Sequence, residues 1–410
     1  MNLSVLILGG VLVLIAARKV GHIRVAIWQA MVAGAVLVLA TGQITPAAAL
    51  DAIDPEVMLF LLAMFVVGEA LVESGYLYAA AYRWLSRVRN TDTLVLAVVF
   101  ASGLASALLM NDTLAIVATP LVLRLAMEHR IAARLLLLAL AFGITTGSAM
   151  SPIGNPQNLL IAVHGPIDAP FVTFVRVLAL PTLINLVLCY LVLRVLFHEE
   201  FHRIPLVHSP VTVTDPALAR LARLALLLIV AGIIVRLALP VAGFTLQLPL
   251  SLVALLGAAP VLLLSPRRLP LLRAIDWSTL AFFAAMFVLM ASVWNSAVLQ
   301  HWLEVPGLDL ASASTVLGVG VLLSQLVSNV PLVALYLPVL QAHQVAADAL
   351  LALAAGSTIA GNLLILGAAS NVIIVQRAER RGATLRFREF ARAGIPLTLL
   401  QAMVYWLFLT

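Results

Sequence analysis

The sequence predicts an all-α polytopic membrane protein made of two inverted repeats. Each repeat has five transmembrane helices plus a re-entrant hairpin, with broken helices at the midplane. Three observations carry this. Of the 410 residues, 63% are hydrophobic and only 10% charged, whereas soluble domains run about 45–50% apolar and about 25% charged. Apolar runs such as 59–72 and 221–234 are continuous, unlike the alternating strands of an outer-membrane barrel. The two halves of the chain also carry the same short motifs in the same order. So few charges cannot clothe a water-soluble chain of this length, which excludes a soluble enzyme and a nucleic-acid binder.

A spanning helix needs about 20 apolar residues. Such segments lie near 2–17, 24–42, 56–78, 131–164, 170–197, 218–239, 246–265, 277–299, 345–376 and 392–409. Two further apolar stretches, 93–128 and 311–342, are interrupted by Asn111-Asp112 and Ser328-Asn329. A polar pair inside such a stretch predicts a re-entrant hairpin with its tip at mid-membrane. The first repeat is then 1–197, with hairpin 93–128 and broken helix 131–164. A cytoplasmic linker, 198–217, leads to the second repeat, 218–410, with hairpin 311–342 and broken helix 345–376.

The basic residues orient these segments. Residues 1–17 carry no Lys or Arg, and Arg18-Lys19 follows them. That is the reverse of a cleaved signal peptide, so the first segment is expected to remain, with both chain termini outside. With that orientation 22 of the 24 basic residues fall inside, leaving Arg176 and Arg236, as the positive-inside rule requires. The arithmetic closes when the first hairpin enters from inside and the second from outside. The only lysine, Lys19, follows no Walker glycine pattern, so no ATPase is built in. The one cysteine, Cys189, allows neither an intrachain disulfide nor a thiolate cluster and reads as a packing residue.

The repeat is visible residue by residue. Ala52-Ile53-Asp54 returns as Ala274-Ile275-Asp276, and Met64-Phe65-Val66 as Met286-Phe287-Val288, at an offset of 222. Asn111, with Pro120 nine residues on, matches Asn329 with Pro338. Gly143, Thr145, Gly154 and Asn158 match Gly356, Thr358, Gly367 and Asn371. An odd number of spans per half gives the halves opposite topology. That is the inverted-repeat plan of secondary transporters, with the substrate site between the repeats.

Polar groups inside apolar segments mark the candidate site. Hairpin tips leave backbone groups unpaired, so Asn111 and Thr113 at the first and Ser328 and Asn329 at the second are candidate substrate ligands. A plain helix-breaking turn lined by capping residues explains the same residues. The run 147–158, with two prolines and two glycines, cannot continue as a helix. It contributes Ser151, Asn155 and Asn158, and its counterpart in the second half contributes Ser370 and Asn371. Asp112 is the candidate proton carrier, since a charged acid at mid-membrane costs at least about 2.5–3.5 kcal/mol. The position also fits a simple helix cap. Glu73, on one helical face with Glu69 and toward the inner side, is a second proton-coupling candidate. Pairing with an arginine near Arg83 is its structural alternative.

His198-Glu199-Glu200-Phe201-His202 matches the HExxH zinc-protease pattern. It sits at a charged helix end with Pro205 close behind and no supported third ligand. An intramembrane zinc protease is therefore only a remote alternative, and neither a metal nor a cofactor is expected.

Taken together, the Asn-Asp-Thr tip with its later proline, the Gly-Asn-Pro-Gln-Asn break, Ser-Asn-Val-Pro and Gly-Ala-Ala-Ser-Asn resemble the ion transporter superfamily over nearly the whole chain. Its members include arsenite permeases of the ArsB type, NhaD-type antiporters, citrate carriers and divalent anion/sodium symporters. Glu73-Ser74-Gly75 and the Asn111-Asp112 tip look most like the arsenite branch. The symporters carry Ser-Asn-Thr at both tips. Here the first tip reads Asn111-Asp112-Thr113 and the second lacks the threonine, which favours protons over sodium.

The resemblance implies a bacterial or archaeal inner-membrane permease exporting arsenite or antimonite in exchange for protons. A di- or tricarboxylate or other small-anion transporter coupled to protons or sodium, and a sodium/proton antiporter, are the alternatives within the superfamily. The expected partners are the small inorganic substrate, protons and the lipid bilayer. The sequence is compatible with a homodimer and with a separate ATPase subunit on the inner loops, and specifies neither.

Overall fold

The computed structural model describes residues 3–17, 19–20, 23–85, 88, 90–201, 213–241, 248–296 and 312–410. These residues are helical except for turns and one two-residue antiparallel ladder, in which Lys19–Val20 pairs with Ile23–Arg24. The ladder joins α1 (Leu3–Ala17) to α2 (Ile27–Ala40), where the sequence suggests only an inner loop.

The elements that follow recur in order. A seven-residue helix precedes a nineteen-residue one twice, as α3 (Pro46–Ala52) with α4 (Pro55–Glu73) and, after α11 (Pro216–Val241) and α12 (Leu250–Leu264), as α13 (Arg268–Ala274) with α14 (Trp277–Asn295). Asp54 caps α4 by accepting from the Val57 N–H at 2.9 Å, and Asp276 caps α14 from Thr279 at 3.1 Å. After α5 (Tyr76–Leu85), the first hairpin is α6 (Thr91–Ser106) and α7 (Asn111–His129). The second is α15 (Ala313–Val327) and α16 (Asn329–Ala342). Pro120 and Pro338 lie inside the second arm of each.

Both segments expected to be broken are two helices. The first gives α8 (Ala133–Ser148) and α9 (Pro156–His164), the second α17 (Ala347–Leu363) and α18 (Ala369–Glu379). Pro152, Gly154 and Pro156 stop the first from continuing, and Pro156 then opens α9, where its missing N–H does no harm. Single long helices complete each half, α10 (Pro170–Leu196) and α19 (Phe387–Leu409). Among the described residues five helices have the length and apolarity to cross a membrane, namely α4, α10, α11, α14 and α19. The other apolar helices among the described residues are shorter; they include hairpin arms and half-helices but also α1, α2 and α12, which the sequence predicts as full spans.

Two close helix contacts hold the paired hairpins to the broken helices. A Cβ on Gly143 of α8 would come within 2.7 Å of the Val99 carbonyl of α6. One on the matching Gly356 of α17 would come within 2.7 Å of the Leu317 carbonyl of α15. These two glycines permit backbone-to-backbone approach that alanine would forbid. At the charged ends Arg134 binds Glu200 at 2.5 Å and Glu389 at 3.3 Å, and Arg194 binds Asp92 at 2.7 Å. Solvent-facing pairs of this kind contribute about 1 kcal/mol or less each.

Candidate functional site

Four helices begin at one place. The N-termini of α7, α9, α16 and α18 converge on a cavity of about 650 Å³, whose wall includes Asn111 and Asp112, Pro156 and Gln157, Ser328 and Asn329, and Ala368 and Ala369. Trp28 and Gln29 of α2 close it from one side, and Asp276, Ser278, Thr279 and Phe283 from the start of α14 close another. The N-caps of α7, α16 and α18 make no side-chain bond to their helix, so first-turn N–H groups and the positive helix ends face the cavity. Against them stand two acids, Asp112 and Asp276. No lysine or arginine is among the described residues of the wall.

The two tips differ in detail. The Asn111 N–H donates to the Gly154 carbonyl at 3.1 Å, which ties the first tip to the first break. Ser328 at the second tip has φ 72° and ψ 154°, a backbone setting that is essentially reserved for glycine. The buried side-chain carbonyls of Asn111 and Asn329, Oδ1 in each, have no hydrogen-bond partner among the described residues.

The sequence candidates separate into three groups. Asn111, Asp112, Ser328 and Asn329 line the cavity. Asn155, Asn158, Ser151, Ser370 and Asn371 are buried behind it at the breaks. Asn155 donates to Ser148 Oγ at 3.0 Å and to Thr358 Oγ1 at 3.1 Å. Asn158 Nδ2 donates to the carbonyls of Ser148, Ala149 and Ser151 at 3.0–3.3 Å. Asn371 Nδ2 reaches the Gly361 carbonyl at 2.6 Å, while its Oδ1 and Ser370 Oγ have no partner among the described residues. Thr113 turns away from the cavity onto Gly68 of α4. Glu73 is exposed at the end of α4 and does not reach the wall.

Of the zinc-like motif, His198 and Glu199 are exposed and Glu200 binds Arg134, while His202 lies outside the described residues. Among the described residues no three His, Cys, Asp or Glu gather as a metal site would require. Sequence reasoning missed Gln29, Gln157, Asp276, Ser278, Thr279 and Gln376, all of them on the wall. Asp276 had a signal in the repeat itself, as the counterpart of Asp54. Gln157 lay inside the quoted break motif.

Residues 11–349 match the family model CitMHS, described as a citrate transporter. An uncharacterized transporter of Mycobacterium tuberculosis is 30% identical over 376 residues, covering 87% of this chain and 86% of its own. The silicon efflux transporter LSI3 of Oryza sativa is 29% identical over 442 residues, covering 89% and 88%. In fold, the crystal structure of the YdaH transporter of Alcanivorax borkumensis, noted for an unusual topology, aligns over 99% of this chain and 96% of that one. Its TM-score is 0.58 at 16% identity.

Proposed function

The chain belongs to the citrate transporter family, and from that premise we propose that it is a proton-coupled carrier of small oxyacids, with arsenite and antimonite as the substrates its cavity fits best. It is a secondary membrane transporter and not an enzyme. One observation carries the substrate reading. The cavity offers amides, hydroxyls, helix N-termini and two acids, with no lysine or arginine among the described wall residues. Arsenous acid is mostly uncharged near neutral pH, so hydrogen-bonding groups suffice for it and no counter-charge is required. LSI3, which is named for silicon efflux, is similar to this chain over most of both lengths.

A carboxylate substrate is the second reading. It is favoured by the family's own description and by the four helix N-termini, which attract anions without a cationic side chain.

In the mechanism that follows, α6–α9 and α15–α18 move together against α2–α4 and α12–α14, the two halves of the chain being related by inversion. The orientation is the one set by the arginines, in a bacterial plasma membrane with both termini outside. Asn111, Ser328 and Asn329 hold the solute, and Asp112 takes up a proton as the solute leaves. One proton entering down 100 mV supplies about 2.3 kcal/mol, and each pH unit adds about 1.4 kcal/mol. Together they sustain a gradient of several hundred-fold.

The test is arsenite uptake into inside-out vesicles or proteoliposomes, with and without an imposed proton gradient, run beside citrate and succinate. Gradient-dependent arsenite accumulation supports the oxyacid reading. Accumulation of citrate or succinate with arsenite excluded overturns it in favour of the second.

A further inference from the structure

Asp54 and Asp276 occupy the same place in the two halves, each capping the helix that follows it. Their surroundings differ. Asp54 Oδ2 lies 3.0 Å from Nε2 of His164, the last residue of α9. This pair ties the start of α4 to the far end of the first broken helix, and its side chains are only partly exposed, at 17% and 39%. The residue step that relates Asn158 to Asn371 carries His164 onto Arg377, in the last turn of α18. Each half therefore has an acid at the start of a long helix and a basic residue at the end of a broken one.

In the second half that pair is apart. Asp276 stands on the cavity wall, and the end of α18 faces the same cavity through Gln376. Among the described ion pairs none involves Asp276. Arg377 is half-buried, and the charges that act on it are those of Glu69, Arg380 and Arg381.

We propose that Asp54–His164 and Asp276–Arg377 are alternate latches of the transport cycle, the first closed in the state described here and the second closing when the cavity opens to the other side. The inference rests on the proposed carrier function. A bond made in only one of two states shifts the balance toward that state by its full strength. Two matched bonds, one for each state, cancel, so neither face is trapped. Duplication with inversion supplies such a matched pair without further change, because the same acid and the same helix end recur at the opposite mouth.

The test places a reporter cysteine on the wall, Val372→Cys, in the full-length protein in oriented vesicles. The native Cys189 is fully buried and out of reach of a membrane-impermeant maleimide. The quantity read is the ratio of labelling rates from the two sides, which follows the ratio of the two open states. Asp→Asn substitution removes the charge while keeping the cap.

Asp54→Asn is expected to shift that ratio about two- to five-fold away from the state described here. Asp276→Asn and Arg377→Gln are expected to shift it by a similar factor in the opposite direction. Shifts in the same direction, or no shift in Asp54→Asn, overturn the latches. Transport measured on the same vesicles keeps the two proposals apart. Opposite shifts in a protein that moves neither arsenite nor citrate uphold the latches and remove the substrate reading. Transport without opposite shifts removes the latches alone.

Discussion

Between Ser148 and Pro156 the asparagine side chains are consumed in bonding the interrupted backbone, whereas beside the break between Leu363 and Ala369 buried side-chain groups are left over. In the first break Asn158 bonds three carbonyls, and Asn155 bonds Ser148 while reaching across to Thr358 of the other half. In the second break Asn371 makes one bond from its amide, and its carbonyl and the Ser370 hydroxyl are left over. Equivalent sequence positions thus serve different ends. The first break is a frame, and the second retains unspent hydrogen-bonding capacity beside the cavity. An asparagine in a membrane helix is not by itself a ligand. What decides its role is whether the local backbone consumes its valences first.

The sharpest way to break this comparison is Asn158→Ala. It removes an amide shared by three buried carbonyls, of which only that of Ala149 has no second donor among the described bonds, so a loss of about 2–3 kcal/mol is expected. Thermal unfolding in detergent reads it. A melting point close to that of the unaltered chain would show that the first break is no frame.

Asp112→Asn comes next. The acid stands on the first tip only, since the matching position on the second tip is Val330 and both line the cavity. Proton-driven accumulation in proteoliposomes should fall at least about tenfold, the equivalent of about 1.4 kcal/mol, while the melting point holds. Undiminished accumulation removes Asp112 from the coupling.

Asn371→Ala should invert the pattern of Asn158→Ala. Stability changes by about 1 kcal/mol, the worth of one hydrogen bond. KM for transport rises by roughly an order of magnitude, or 1.4 kcal/mol. A large stability loss with KM unaltered would make the second break a frame like the first.

The smallest effect concerns pH. Burial pushes the Asp54 carboxyl up, but its bonds to His164 and to the Val57 N–H outweigh burial and hold it below its ordinary value. A lowered carboxyl stabilises the fold above its unfolded pKa, and the gain is lost as pH falls through the folded one. Acidification below about pH 4 should therefore destabilise the unaltered chain more than Asp54→Asn, by a fraction of a kcal/mol. Identical acid profiles would show that the pair adds nothing.

Much of this was legible in the sequence. Continuous apolar runs marked the helices, and Pro152, Gly154 and Pro156 marked a break that no helix can cross. The positions of Asn111 and Asn329 gave the two tips. What could not be read was which way a side chain faces once a helix restarts. Gln157 and Asn158 are neighbours in sequence. With α9 starting at Pro156, the first reaches the cavity and the second turns back to staple the break. Thr113 likewise follows Asp112 directly yet packs on Gly68. Asp276 was visible only as the repeat of Asp54, and its place on the wall depends on the start of α14 meeting the hairpin tips, a long-range fact that no local pattern carries.

Ser328 brings a different kind of consequence. Its backbone lies where glycine belongs, a setting that costs a residue with a side chain about 1–3 kcal/mol. Glycine would relieve that cost at the same bend, so stability alone does not account for serine there. What serine adds is a hydroxyl at the rim of the wall. Under the proposed function the second tip is a point where robustness has been surrendered for chemistry, the trade-off that distinguishes working parts of a protein from its scaffolding.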